Sequence, residues 1–315
     1  MKRMSVWYMA GLLAVATMGY AQTWDSADSG SSIGMPGGSA PSGGGSYKNQ
    51  ILDAADKPAY DAKMGYILPA DFGRHGSSGV MELQGDWEFA YFRDVLSADV
   101  DLNLLLRSYL FTSGTDLHLP NQVTALALDA GATWRFEDAT GLQFRGKPGF
   151  YSDMGGLADG LNMPVSLAVV KAFNNELSGL AGLEWRPGFD RPIMPLLTME
   201  MLIQDTVRLR LGVPENRITY YAAPDFAVYA GLDWENTTFA LSDSVDGVDR
   251  KSLTLDDYRY YVGGSYQMPG QVRLIGELGQ VYDRNVTIKY DGARKDDDVD
   301  ADAALFVRFG LLGMF

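Results

Sequence analysis

The 315-residue chain contains no cysteine and two histidines, His75 and His118. Without thiols there are no disulfides and no thiolate metal sites. Two isolated imidazoles argue against a dedicated transition-metal centre, so neither a metal nor a cofactor is expected. Beyond the N-terminal segment, no apolar run approaches the roughly 20 residues of a membrane-spanning helix. If the mature chain sits in a membrane, it does so as strands. Positive charge is also scarce, with 26 Lys and Arg against 40 Asp and Glu and a net charge of −14. Nucleic acid demands the opposite sign, which argues against it as a partner.

Lys2 and Arg3, an apolar stretch from Met4 to Met18 and the small-x-small site Gly19-Tyr20-Ala21 read as a secretory signal over 1–21, cut after Ala21. A retained anchor is the alternative, but the run is too short for one. Residues 22–46 hold seven Gly and seven Ser in 25 positions. Such a stretch buries too little apolar surface to offset chain entropy, so 22–61 is expected to be a flexible periplasmic leader, with a short helix as the alternative over 47–61.

From residue 62 to 315 the period is two. In VMELQGDWEFAYF, Met81, Leu83, Trp87, Phe89 and Tyr91 share one face while Glu82, Gln84, Asp86 and Glu88 share the other. Val100, Leu102, Leu104 and Leu106 alternate with Asp99, Asp101, Asn103 and Arg107. The same holds for Leu126 to Phe136 against Asp129, Thr133 and Arg135, and for Val207, Leu209 and Leu211 against Arg208 and Arg210. A helix would spread these charges around its circumference; strict alternation means strands. Mean hydropathy is −0.10, close to that of a soluble protein, which a barrel permits because half of each strand faces a polar interior.

Tight turns are expected near 93–95, 137–140, 174–176, 204–205, 235–236 and 268–270. Longer polar loops are expected near 113–121, 152–160, 187–195, 214–224, 243–256 and 284–301. Short turns on one side and long loops on the other mark an outer-membrane barrel, with the short side periplasmic. AKMGYILPA at 62–70 supplies one further strand. The expected fold is therefore all-β, a transmembrane antiparallel up-and-down barrel of about 14 strands, with 12 if two short ones merge. A secreted β-sandwich or propeller also alternates, but it needs no aromatic girdles. Tyr91, Trp134, Phe136, Phe173 and Trp234 are placed outward beside tight turns, and Tyr109, Phe150, Trp185 and Tyr282 outward near long loops. In ALFVRFGLLGMF, Leu305, Val307, Phe309, Leu311 and Phe315 share a face. This end resembles the C-terminal signal of bacterial outer-membrane proteins, which implies the barrel-assembly machinery as a partner and Phe309, Leu311 and Phe315 as the residues read.

PGFYSD at 148–153, LAVVKAF at 167–173, GLEWRP at 182–187, VPENRITYY at 213–221, DYRYYVGGSY at 257–266 and VYDRN at 281–285 carry a wider likeness. Through them the chain resembles an uncharacterised family of bacterial outer-membrane β-barrel proteins. The resemblance implies the barrel and brings no activity and no functional residue.

Ten inward positions of each sign are expected, so neither cation nor anion preference can be assigned. Pore-lining candidates are Arg107, Arg145, Lys147, Arg208 and Arg210 among the bases, and Asp99, Asp101 and Glu277 among the acids. The run Asp296 to Asp302 lacks the glycine turn and closing Glu of a calcium loop, and is read as a solvated loop with loose divalent-cation binding as the alternative. His75 and Ser77 suggest a lipid hydrolase only superficially, and an ordinary polar turn is preferred. His118 beside Asp116 lacks a second acidic pair for protease chemistry. No catalytic residue is therefore assigned. The expectation is a non-enzymatic channel for small polar solutes, porin-like and in contact with outer-membrane lipid. A closed barrel acting through acidic outer loops stands second, and the hydrolase third.

Overall fold

The computed structural model describes residues 60–313 apart from 113, 118, 137–138, 154–159, 175, 204–205, 243, 246–247, 270–271 and 291–295. The expected signal and leader, His118 and the terminal Phe315 fall outside the described residues. Among the described residues no helix is long and apolar enough to cross a membrane.

The chain forms one closed antiparallel barrel of 14 strands. In order these are β1 (Tyr60–Asp71), β2 (Ser77–Val95), β3 (Ala98–Phe111), β4 (Gln122–Arg135) and β5 (Thr140–Gly146 with Gly149–Ser152). There follow β6 (Leu161–Asn162 with Val165–Ala172), β7 (Leu177–Trp185), β8 (Ile193–Ile203), β9 (Val207–Val213) and β10 (Glu215–Ala223). The last four are β11 (Phe226–Ala240), β12 (Val248–Gln267), β13 (Val272–Tyr290) and β14 (Asp297–Ala301 with Ala304–Gly313). β14 pairs back onto β1 from Tyr60↔Gly313 to Ile67↔Phe306, so the sheet has no free edge to close. Closure leaves the backbone polar groups paired within the wall, as a hydrocarbon surrounding requires. The interruptions in β5 and β6 fall at Pro148 and Pro164, which have no N–H to donate to a ladder.

Side chains alternate as the period-two pattern demands. Leu104, Leu126, Leu128, Leu167, Leu183, Leu197, Leu278 and Phe309 point outward and are exposed, while Asn103, Asp129, Glu277 and Arg308 point inward and are buried. Phe92, Phe136, Phe173, Phe226 and Tyr266 lie outward near the short turns. Phe150, Trp185 and Tyr260 lie outward toward the long loops, joined by the stacked Trp234–Tyr258 pair and Tyr282. These are the two aromatic girdles of a bilayer-spanning wall.

Five expectations need correction, the first being that 248–256 and 284–290, expected within loops, are the upper parts of β12 and β13, paired from Arg250↔Tyr290 to Asp256↔Asn285. Residues 235–236 are not a turn: they lie inside β11, paired with Asp257 and Asp256 of β12. Residues 215–223 are not a loop but β10, and the turn between β9 and β10 shrinks to Pro214. The acidic run is likewise mostly strand, with Asp297–Ala301 paired to Arg284–Ile288. Among the girdle residues, the register slips between Glu88 and Ala90, which turns Tyr91 inward to pair with Asp101. An extra residue in one strand flips every following side chain to the other face. Tyr109 also points inward, where its hydroxyl donates to Glu235, and Trp234 belongs to the long-loop girdle, level with Pro214.

Candidate functional site: a divided lumen

Strand length differs around the barrel. β12 and β13 run for 20 and 19 residues, whereas β9 has seven and β10 nine. The tip of the β9–β10 hairpin stops where the Trp234 N–H donates to the Pro214 carbonyl, 2.9 Å away. Beyond that level the long strands continue and curl inward. Ala240 of β11 meets Ser152 of β5 across the barrel, with the Asp153 N–H donating to the Ala240 carbonyl at 3.2 Å. Asp153 also accepts from the Ser242 hydroxyl at 2.8 Å and lies 4.0 Å from Arg250. The mouth is thereby pinched into two lobes.

Toward the long-loop end, the space between β11–β14 and β1–β4 is packed. Phe239 and Leu253 are fully buried, and Ile67, Val80, Val123, Val286, Ile288 and Phe306 join them in one apolar cluster. Phe72, Leu117, Phe189 and Leu241 enter the cluster from the long loops. Tyr109 meets Phe239 edge to face at 5.8 Å between ring centroids. Burying these side chains excludes water from that end of the lumen.

Below the apolar cluster lies a charged crossbar. Arg259 of β12, 2% exposed at its side chain, reaches Glu82 of β2, Glu235 of β11 and its own strand's Asp257 at 2.7, 2.9 and 2.8 Å. Its Nη1 donates to Glu82 Oε2 at 2.9 Å, whereas the 2.7 Å approach of Nη2 to Oε1 is an ion contact without hydrogen-bond geometry. Arg284 binds both oxygens of Asp257 at 3.0 and 2.9 Å, and Arg107 binds Glu235 at 2.5 Å. Three carboxylates thus meet three guanidiniums, which is how charges tolerate burial.

Beside the crossbar the lumen is open, between β1–β4 and β11–β14 on one side and the shorter strands on the other. A cavity of about 390 Å³ is lined by Arg107, Lys147, Glu184, Arg186, Glu215, Arg217, Asp233, Glu235, Glu277 and Arg308. Lys147 pairs with Glu184 at 2.9 Å and Arg308 with Glu277 at 2.5 Å across its walls. On the short-turn side lies a second cavity of about 170 Å³, lined by Arg208, Arg210, Arg217 and Arg273 with Thr219, Tyr221 and Ser265. Arg217 borders both. The loop 186–192 spans the gap that the short hairpin leaves beside β11. Arg186 donates to the Asn236 carbonyl at 2.8 Å and to its side-chain oxygen at 3.0 Å. Arg191 pairs with Asp256 at 2.8 Å and covers the Trp234 ring, and the Asp190 N–H donates to Thr238 at 3.0 Å.

Of the pore-lining candidates, Arg107, Lys147 and Glu277 line the larger cavity, and Arg208 and Arg210 line the smaller. Arg145, Asp99 and Asp101 line neither. Arg145 is bound to Asp101 and, at 3.0 Å, to Asp129, while Asp99 is bound to Arg135, so these form a neutralised wall on β3–β5. Gly131 makes room there, since a Cβ would sit 2.5 Å from Asp101 Oδ1. Sequence reading missed Arg217, Glu235, Asp257 and Arg284. Arg217 was recoverable, because Arg217, Thr219 and Tyr221 alternate with Ile218 and Tyr220. His75 Nδ1 lies 2.8 Å from Asp116 Oδ1, so its partner is a neighbouring loop's carboxylate and not Ser77. Phe309 and Leu311 face outward on β14.

No protein-family model matches the chain, and no curated protein sequence matches it either. The likeness read at 148–285 therefore rests on its short segments. Among solved structures, the chain is similar to the NanC porin at 10% identity over 82% of this chain and 100% of that one, with a TM-score of 0.37. It is similar to the toluene transporter TodX of Pseudomonas putida at 10% identity over 84% and 94%, with a TM-score of 0.35. It is also similar to a BenF-like porin from Pseudomonas fluorescens Pf-5 at 11% identity over 82% and 100%, again with a TM-score of 0.35. Likenesses this distant carry no functional argument. The class is defined by the chain's own closed wall, apolar outside and charged within: an antiparallel transmembrane β-barrel.

Proposed function

We propose that this chain is an outer-membrane barrel that serves as a porin-like, non-enzymatic channel for small polar solutes. Its route runs between the short strands β9 and β10 and the facing walls of β11–β14. The observation that carries this reading is the pair of charged cavities meeting at Arg217, beside the packed apolar cluster. A barrel of this width has more interior than side chains need fill, and here the unfilled part is polar. The short turns and both ends of the wall face the periplasm, and lipid surrounds the outward apolar band. Insertion by the barrel-assembly machinery is part of the same reading, supported by the outward apolar Phe309 and Leu311 of the last strand. Asp298 and Asp300 already accept from Asn285, at 2.7 and 3.0 Å, which leaves them less suited to hold a divalent cation than an open loop would be.

The test is single-channel recording in a planar bilayer. The channel reading expects discrete, ohmic steps after insertion of the purified barrel. Insertion with no measurable current overturns it. The second reading, a closed scaffold acting through its outer surface, draws on the Ser152–Ala240 pinch and the apolar cluster, and the same silent recording would favour it.

A further inference from the structure

On the short-turn side of the lumen, β9 and β10 set Arg210 and Arg217 directly opposite each other. Like charges in that position destabilise an antiparallel pair unless something of opposite sign lies between them. Glu215 and Glu200 supply part of it: Arg210 meets them at 2.9 and 3.3 Å, and Arg208 also binds Glu200. Arg217 is less well served, 4.0 Å from Glu215 and beyond hydrogen bonding. Its guanidinium instead lies over the Tyr229 ring at 3.7 Å, which holds it against the cavity wall. From β13, Arg273 enters the same cavity, its Nε donating to the Gln267 side-chain oxygen at 3.3 Å. Four guanidiniums therefore border one cavity, with two carboxylates bound among them.

A guanidinium presents its donors as a planar fork that matches carboxylate and phosphate oxygens. The low-dielectric wall around the cavity strengthens the field of the unmatched pair. Thr219, Tyr221 and Ser265 add hydroxyls at its rim.

We propose that this cavity is a binding station for a small oxyanion, a carboxylate or a phosphate, held principally by Arg217 and Arg273. Its place in transport rests on the channel reading above; binding itself does not. The solute supplies the negative charge that the Arg210–Arg217 pairing lacks. The smaller cavity's own lining holds four guanidiniums and no carboxylate, whereas acids and bases alternate around the larger one.

The experiment is equilibrium dialysis of the purified, full barrel in detergent at low salt, with labelled inorganic phosphate and, separately, labelled succinate. Saturable binding of either anion is expected, weakened by salt as the Debye length shortens to about 3 Å at 1 M. R217Q/R273Q should bind at least tenfold more weakly while keeping heat-modifiable mobility on a gel. Succinate binding without phosphate binding assigns the carboxylate class, and the converse the phosphate class. If the double variant does not fold, R273Q alone makes the comparison, with an expected loss of at least threefold. No saturable binding of either anion to the wild type overturns the proposal, as does unchanged binding in a folded variant. Bilayer recording separates the two readings. Anion binding in a barrel that passes no current keeps the station and rejects the channel. Current without anion binding does the reverse.

Discussion

Arg259 is the side chain whose loss should cost the barrel most, and the structure says why. Its guanidinium is 2% exposed, and it contacts Glu82, Asp257 and Glu235 within 2.9 Å. Arg259→Met keeps the bulk and removes the charge. Asp257 then still has Arg284, and Glu235 still has Arg107. Glu82, 1% exposed, is left without the guanidinium that compensates it. Removing one partner of a buried pair costs about 3–5 kcal/mol, most of it the penalty of the stranded charge. The same logic predicts rescue. Glu82→Gln in the Arg259→Met background should recover at least about 2 kcal/mol, because an uncharged amide needs no counter-ion. The assay is urea unfolding of the barrel in lipid vesicles, followed by tryptophan fluorescence and gel mobility. A loss below about 1 kcal/mol for Arg259→Met, or no rescue in the double variant, would show that the crossbar is hydrated and the reasoning wrong.

Leu104→Arg places a charge on the lipid face and should cost roughly 2–4 kcal/mol in vesicles, whereas Gln84→Lys, pointing into the larger cavity, should cost little. Equal losses would mean that the inside–outside assignment fails on β2 and β3. Arg186→Ala removes the donors that tie loop 186–192 to Asn236, and conductance should rise with more open-state noise while thermal stability changes little; unchanged recordings would dismiss the loop as a constriction. Phe315→Ser, at a position known from sequence alone, should leave secretion intact and stall insertion, read as loss of the heat-modifiable form from the outer membrane.

Strand number and sidedness were legible because both depend on a strictly local signal. Leu104 against Asn103, or Phe309 against Arg308, needs no knowledge of what lies across the lumen. The errors arose where local chemistry and long-range packing disagree. Glu235-Asn236 reads as a polar turn, yet Glu235 is wanted inside by Arg107, Tyr109 and Arg259, and Asn236 is wanted outside by Arg186. Pro214-Glu215-Asn216 carries turn-forming residues, so a long loop was expected where a single proline suffices. The slip beside Phe89 adds one residue to β2 and leaves no mark in the alternation until Tyr91 is found facing Asp101. The charge partners were not legible at all. Glu82 and Arg259 are separated by 177 positions, and only closure of the sheet brings them together.

The unequal strands bear on the choice between channel and scaffold. Sealing a barrel this wide along its whole length would require apolar side chains on every inward face. The chain does this only where strands are long: Leu253, Leu255, Val286 and Ile288 all sit on the upper parts of β12 and β13. β6–β10 contribute none of the described residues in that cluster, and their inward positions include Glu184, Glu200, Arg208, Arg210 and Arg217. Residues selected only to fill a scaffold would gain by being apolar, since replacing paired charges with packed hydrophobes is often neutral or stabilising. Charge persists on the walls of the two cavities and on the crossbar between them and the apolar cluster. That distribution is what a water-filled passage demands and a solid plug does not. It also predicts where the passage can be closed. A bulky apolar substitution at Thr219, on the wall of the smaller cavity, should cut conductance at least severalfold without lowering stability, whereas enlarging Ala70, buried in the apolar cluster, should strain the fold by about 1–3 kcal/mol. Current unaffected by Thr219→Trp in a folded barrel would place the route elsewhere.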